Sequence, residues 1–345
     1  MRVAIIGAGL FGSTAAIHAA RAGHDVHLFE AKSQIMLGAS VGTFGRLHRG
    51  AHYPRSAATG RESRRAEASF RAEYGPAVID GGTQQYVIPA EGSLVSADEY
   101  RQFLDDEGLS FSEDGNVFTV EEPRINLGTL QKLVRLKVAE AGVTVHLGCR
   151  RSSRTHLRKF DRIVVATYAR LNQVLADLGC ETQEYKFQVV EKPVVLLPER
   201  FRDTSIVVID GPFGCLDPLD DTPYHVLGHV RKSIHAENVG YRAEVPEHLA
   251  NLLDMGNLST RHTRVKEIVE DLARYVPGVE EARHVGSSFV IRSILAGVES
   301  TDKRPSVLTR HDEQVCSIFS GKLGTCVTVA MQISDSLKVE QREAA

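Results

Sequence analysis

The chain opens on a short apolar run, MRVAII, whose β-branched residues and length predict a buried strand. A glycine-rich turn, GAGLFG, interrupts it. The small apolar residues of STAAIHAARA then recur at helical spacing until Gly23 stops them, and HDVHLFE resumes as a second strand ending on Glu30. Comparable units return only much later. Residues 125–148 carry a stripe at Leu130, Leu133, Val134 and Val138, a stop at Gly142 and a VTVHL strand. FDRIVVATYA reads as a buried strand, and residues 315–337 give strand, glycine turn and terminal helix. Between these blocks, residues 75–122 and 184–295 lack the spacing of helices that cross between parallel strands. KFQVVEKPVVLLP, SIVVIDGPFGCLDPL and YHVLGHV alternate strand-like runs with turns instead.

One stretch follows neither period. RLHRGAHYPRS, residues 46–56, has no alternating apolar face and too much Gly and Pro for a helix interior. A segment so rich in arginine and histidine calls for a chemical explanation.

The first block narrows that chemistry. Gly7, Gly9 and Gly12 stand in G-x-G-x-x-G register between strand and helix, with an acid about twenty residues further on. The first glycine permits the turn, the second lets backbone approach a pyrophosphate, and the third lets helix and strand touch. The helix start offers unpaired N–H groups to the phosphates, and Glu30 suits a ribose diol. These residues alone leave NAD and FAD open. A nucleotide fold assembled from the beginning, middle and end of the chain is the flavoprotein arrangement.

Composition adds exclusions. A net charge of −3 provides no overall field for nucleic acid or an anionic membrane. Five cysteines without a C-x-x-C pair argue against a disulfide framework or structural zinc, and suit a reducing compartment. No run is long and apolar enough to cross a membrane, and the first residues already belong to a strand, so a cytoplasmic protein is expected. His225 and His229 have an H-x-x-x-H spacing, but a strand separates them by about 13 Å, so no metal site is expected.

The pieces VAIIGAGLFGSTAA, LFE, LGAS, RLHRGAHYPRS, DRIVVATYA, DKRPS and FSGKLGT span nearly the whole chain in order. Together they resemble the D-amino-acid oxidase and glycine oxidase class of FAD-dependent oxidoreductases, in a branch carrying RLHxGxHYPRS and SGK, whose members sit among sugar or specialised-metabolite enzymes. The chain departs from the class at Ala166-Thr167-Tyr168, where A-T-G is common. Cys316 and Cys326 read as buried structural thiols rather than flavin attachment points.

The resemblance implies an α/β fold: a Rossmann-like FAD-binding domain of the glutathione-reductase type with an inserted mixed-sheet α+β substrate domain. The expected division is 1–74, 123–183 and 296–337 for FAD, 75–122 and 184–295 for substrate, and a frayed tail at 338–345. FAD contacts are expected from Gly7, Gly9, Leu10, Phe11, Gly12, Glu30, Ala31, Ser40, Arg46, Leu47, His48, Ala166, Thr167, Gly321, Lys322, Leu323, Gly324 and Thr325. The segment after LGAS lies alongside the isoalloxazine in relatives, so Arg46 and His48 are expected to stabilise the ring's reduced charge. The start of the last helix is expected to face the same edge, and Lys322 to hold that edge, a water that links to N5, or a substrate carboxylate. Catalytic roles are expected for His48, Arg46, Lys322 and Arg304.

Substrate contacts are expected from Arg49, His52, Tyr53, Tyr224, Arg292 and Arg304, with Arg55, Tyr86, His225 and His229 as further polar residues of that half. Arg304 is read either as a clamp for a carboxylate or phosphate or as an ion-pair partner of Asp302 or Asp312. Arg61, Arg64 and Arg65 read as a solvated basic face ahead of a helix. The expected reaction is hydride transfer to flavin N5 from a C–H beside an amine, with O₂ or another acceptor taking the electrons. A hydroxy acid or sugar alcohol, a redox-neutral sugar mutase and a non-catalytic flavin-binding subunit remain alternatives. The expected partners are a small molecule and an electron acceptor, without nucleic acid or membrane; nothing in the chain sets the oligomeric state.

Overall fold

The computed structural model describes residues 1–151, 153–253, 258–297 and 304–343. Two sheets carry the fold. The first has six strands in the order Val307–Arg310, Val315–Phe319, Arg162–Val165, Arg2–Ile6, Asp25–Phe29 and Thr144–His146. All neighbours run parallel except the first pair. A parallel sheet buries both faces, and strand Arg2–Ile6 shows it: Val3 and Ile5 enter one core, Ala4 and Ile6 the other. The first core is closed by helices Leu10–Arg21, Leu127–Glu140 and Cys326–Glu343. Helix Leu127–Glu140 starts where Asn126 Oδ1 accepts the Thr129 N–H at 2.7 Å.

The second sheet, nine strands drawn from within 83–120 and 185–295, is mixed. Its spine is strand Tyr185–Leu196, paired along its whole length with strand Arg283–Leu295. Thr83–Val87 pairs in parallel with Thr204–Val208, while the other neighbours are antiparallel.

Two expectations need correction. Arg61, Arg64 and Arg65 do not precede a helix but lie inside one, Ala57–Tyr74, and both Arg61 and Arg64 pair with Glu107. The helix escapes a hydrophobicity reading because much of its buried face is small or polar: Thr59, Gly60, Ser63, Ala66 and Glu67 precede Phe70 and Tyr74. Close approach explains the small residues, since a Cβ on Gly60 would stand 3.0 Å from Gly50 Cα. The last helix does not stop at Leu337 but runs to Glu343, because Lys, Glu, Gln and Arg are good helix formers. Among the described residues no helix is long and apolar enough to cross a membrane. Cys326 is buried in the first core, and desolvation pushes its thiol up to about 12.

Candidate active site

The carboxyl ends of the parallel strands meet the glycine turn. Gly7 has φ +99°, a conformation glycine adopts freely, and a Cβ there would stand 2.5 Å from the Ala166 carbonyl oxygen. A Cβ on Gly12 would lie 1.9 Å from Gly7 O, so only glycine allows helix and turn to touch. Gly9 begins helix Leu10–Arg21 in extended conformation with no side-chain cap, and Ser40 Oγ accepts the Leu10 N–H at 3.0 Å. The Leu10 side chain itself is core, with Phe11 packed against it. Glu30 accepts the N–H groups of Ala8 and Lys32, each at 2.9 Å. A carboxylate offers about four acceptor sites, so Glu30 can also take a ribose diol. Exposed Ala31 follows it.

The basic segment forms the next wall. Gly45 O accepts from Ile125 N at 2.7 Å, and Pro123 O accepts from Leu47 N at 3.0 Å, so Phe44–His48 runs beside Pro123–Ile125. Leu47 is buried against Gly324, where a Cβ would come within 2.7 Å of Leu47 Cδ1. The segment is thereby pressed onto the turn Gly321–Thr325. Gly321 fits because a Cβ would stand 2.1 Å from Arg304 O; its N–H is 3.0 Å from Ser306 Oγ, which also contacts Thr325 Oγ1 at 2.7 Å.

Behind this segment lies Glu122, buried, accepting from Tyr86 OH at 2.7 Å, Arg49 N at 2.6 Å and Gly50 N at 3.0 Å. Burial works to raise its pKa, but the nearby His48 ring and hydrogen bonds from Tyr86 and the backbone outweigh it and hold the carboxyl below its usual range. His48 Nδ1 sits 3.7 Å from Glu122 Oε2, too long for a direct hydrogen bond. Burial lowers the His48 pKa against the pull of Glu122, and lowers that of His52 much further. Two neutral imidazoles therefore stack with centroids 5.0 Å apart.

A cavity of about 1170 Å³ lies between this wall and the second sheet. Arg46, His48, His52, Tyr53, Arg292, Arg304 and Lys322 all line it. Arg49 and Tyr224 do not. Arg49 turns away to Glu67 and Glu121, because those carboxylates flank it on the outer side of the segment; Tyr224 begins a strand whose backbone closes the turn to Leu219. Tyr86 also lies outside the lining, behind Glu122, and His225 bonds Phe201 O. His229 reaches the wall but is committed to Asp271 at 2.8 Å. Asp312 pairs with Arg154, and Asp302 lies outside the described residues.

Arg46 needs a second correction. Its guanidinium is held bidentately by Asp217, at 2.5 Å from Nε and from NH2, and Ser205 Oγ donates to the same carboxylate at 2.9 Å. The pair is buried at both ends, so Arg46 brings little net positive charge to the cavity. Arg292 is steadied by a neutral group instead. Gln188 Oε1 accepts from its Nε at 2.9 Å, while Gln188 Nε2 donates to Glu237 at 2.8 Å. Tyr168 supplies another wall. It holds φ +50°, where glycine is at ease, and its hydroxyl accepts the Ser293 N–H at 3.1 Å.

Sequence reasoning missed Lys192, Glu122, Asp217 and Gln188. Lys192 had a signal, since E-K-P interrupts the apolar run QVVEKPVVLL. Its Nζ rests 3.4 Å from the centroid of the Phe44 ring. Burial, helped by Arg292 and Arg46, brings its pKa down to about 7. A ring face favours an ammonium by only roughly 0.5–2 kcal/mol, so desolvation wins.

Comparison with known proteins follows the same lines. Residues 2–311 match the family model described as FAD dependent oxidoreductase, DAO. The chain is 28% identical to the FAD-dependent monooxygenase kojA of Aspergillus flavus, over 96% of this chain and 85% of that protein. It is 23% identical to the FAD-dependent monooxygenase FPY4 of Fusarium mangiferae, over 93% and 87%. The fold is similar to that of glycine oxidase from Geobacillus kaustophilus, with TM-score 0.71 and 16% identity, covering 96% of this chain and 92% of that one.

The residues present fit FAD. Gly7 and Gly12 admit no Cβ, the N-cap residue Gly9 puts no side chain over the helix start, and Thr167 Oγ1, His48 Nδ1 and His52 Nδ1 are buried polar atoms that no hydrogen bond within the protein satisfies. A polar ligand along this wall supplies what they lack.

Proposed function

The chain belongs to the DAO family of FAD-dependent oxidoreductases, and from that premise we propose that it oxidises a C–N bond in a small amine or amino-acid-like molecule bearing an anionic group. The observation carrying this reading is the charge of the cavity. Eight Lys or Arg side chains line it (Arg46, Arg55, Lys186, Lys192, Arg231, Arg292, Arg304, Lys322) against two carboxylates, Asp210 and Glu237. Asp210 pairs with Arg55, Glu237 lies beside Lys186, and Asp217 neutralises Arg46 from behind. Among the described lining residues the cations outnumber the carboxylates, which suits a carboxylate or phosphate.

Gly7–Gly12 and Glu30 would hold the cofactor's phosphates and ribose, with Ser40 fixing the helix start and Gly321–Thr325 facing the ring. Bound there, FAD supplies the two-electron acceptor that takes the substrate hydride at N5. The protein's own part is orientation. Arg292 and Arg304 clamp the anionic group, Gln188 fixes the Arg292 fork, and neutral His48 and His52 offer hydrogen bonds without repelling an amine. None of the five cysteines forms a disulfide among the described residues.

The test is anaerobic mixing of the FAD-loaded protein with amines, amino acids, hydroxy acids and sugar nucleotides. Bleaching of the flavin band by amines with an anionic group supports the reading; bleaching by hydroxy acids alone contradicts it. The monooxygenase names of the kojA and FPY4 relatives favour a second reading, oxygen insertion. Turnover under ¹⁸O₂ separates the two, because label appears in the product only if oxygen is inserted.

A further inference from the structure

We propose that Lys192 is the proton acceptor of the reaction, taking a proton from the substrate's ammonium group before the C–H bond breaks. The proposal rests on the amine reading above and goes beyond it by naming the base. The step is a proton transfer without redox change: an N–H bond of the ammonium breaks, its electron pair stays on the substrate nitrogen, and a new N–H bond forms on Nζ. The substrate nitrogen is then neutral, with a lone pair to assist loss of hydride from the neighbouring carbon.

Geometry supports this. Lys192 faces the cavity from strand Tyr185–Leu196, and the Phe44 ring holds its Nζ in place. Three of the other cations around the cavity have an acid beside them: Arg46 has Asp217, Arg55 has Asp210 and Lys186 has Glu237. Among the described residues no carboxylate comes within ion-pair distance of Lys192. The groups facing it are Arg46 on the basic segment, Cys215 and Asp217 on strand Gly214–Pro218, and Arg292 on strand Arg283–Leu295. Of these, Asp217 favours the ammonium, but its charge is shared with Arg46 and Ser205. Cys215 is itself kept protonated by burial. The acid next to Lys192 in the chain, Glu191, is committed to His235, Ser287, Thr263 and the Arg264 N–H. Burial, with the Arg292 guanidinium nearby, leaves the amine with a pKa of about 7, where it is both unprotonated in part and basic enough to accept a proton.

The histidines are poorer choices. His48 and His52 are neutral, but burial lowers their affinity for a proton, and Arg46 and Lys322 oppose a charge on either ring.

The experiment uses the FAD-loaded protein and two readouts. In the first, flavin reduction by a bleaching amine is followed anaerobically against pH. The wild type should show a limb rising through about pH 7, and K192Q and K192R should each lose that limb, reducing roughly 100-fold more slowly at neutral pH. Added methylamine should restore rate to K192A. In the second, which needs no substrate, lysines are dimethylated with ¹³C label and the resonance missing from K192R is titrated; a midpoint near 7 supports the proposal. A pH limb that survives in K192Q, or a midpoint near 10, overturns it. If no amine bleaches the flavin the function reading falls separately, and the titration still decides whether Lys192 has the required basicity.

Discussion

The two ends of the site are built from different materials. At the proposed cofactor end the close contacts are backbone: Gly7, Gly12, Gly321 and Gly324 stand where a Cβ would collide, and Gly9 opens helix Leu10–Arg21 without a side chain. At the proposed substrate end the features are charged side chains, several of them held by a partner distant in sequence. Arg46 finds Asp217, Arg55 finds Asp210, and Arg292 finds Gln188. Damage to the first end should therefore be steric and nearly all-or-none, whereas the second end should respond in graded, charge-dependent steps.

The largest expected effect is at the cofactor end. Gly12→Ala places a methyl 1.9 Å from Gly7 O, and we expect FAD affinity to fall roughly 100-fold or more, read as flavin retained per chain after gel filtration. Full retention would mean that the glycine turn does not hold the cofactor.

Next comes the buried pair. Asp217→Ala strands the Arg46 guanidinium and should cost about 3–5 kcal/mol in urea unfolding, while the double change Arg46→Leu, Asp217→Leu should recover most of it. Equal losses in the single and double variants would show that packing, not charge, governs this site.

A third contrast uses pH. Burial opposes ionisation of Glu73, but hydrogen bonds and charge from His18, Arg21 and Lys137 bring its pKa down from 4.5 to about 2. A folded-state pKa below the unfolded one stabilises at pH above about 4.5, and that contribution disappears as pH falls toward 2. Allowing for solvent screening it amounts to about 1–2 kcal/mol. Glu73→Gln should flatten stability between pH 5 and pH 2 by about that amount, followed by urea midpoints; an unchanged slope would remove Glu73 from the account.

The smallest effect belongs to Tyr168. Replacing it with glycine relieves roughly 1 kcal/mol of left-handed strain but loses the hydroxyl bond to Ser293, so stability should barely move. Relative kcat/KM should shift toward bulkier substrates, because the ring lines the cavity. No change in preference would place the ring outside the substrate's reach.

The same contrast governs what could be read from sequence. The first strand, the glycine turn, Glu30 and the last glycine turn are local patterns within a few tens of residues, and they stand where the spacing placed them. Helix Ala57–Tyr74 was obscured because close packing, not hydrophobicity, chose Gly60 and Ser63. Partners such as Asp217 and Glu122 lie 171 and 73 positions from Arg46 and Arg49, and nothing in the sequence alone joins them. Arg46 was therefore credited with charge that Asp217 largely cancels, and Arg49 with a substrate contact that Glu67 takes up instead. Lys192 is the intermediate case: a charge set in a buried strand is visible, though its reason is not.

The most direct measurement compares anaerobic flavin reduction by one amine bearing a carboxylate and by its uncharged amide. If the cationic cavity binds the anionic group, kcat/KM for the carboxylate should exceed that for the amide by roughly 100-fold, and the gap should shrink in R292Q and R304Q. Equal rates for the two compounds, unchanged in both variants, would contradict the account.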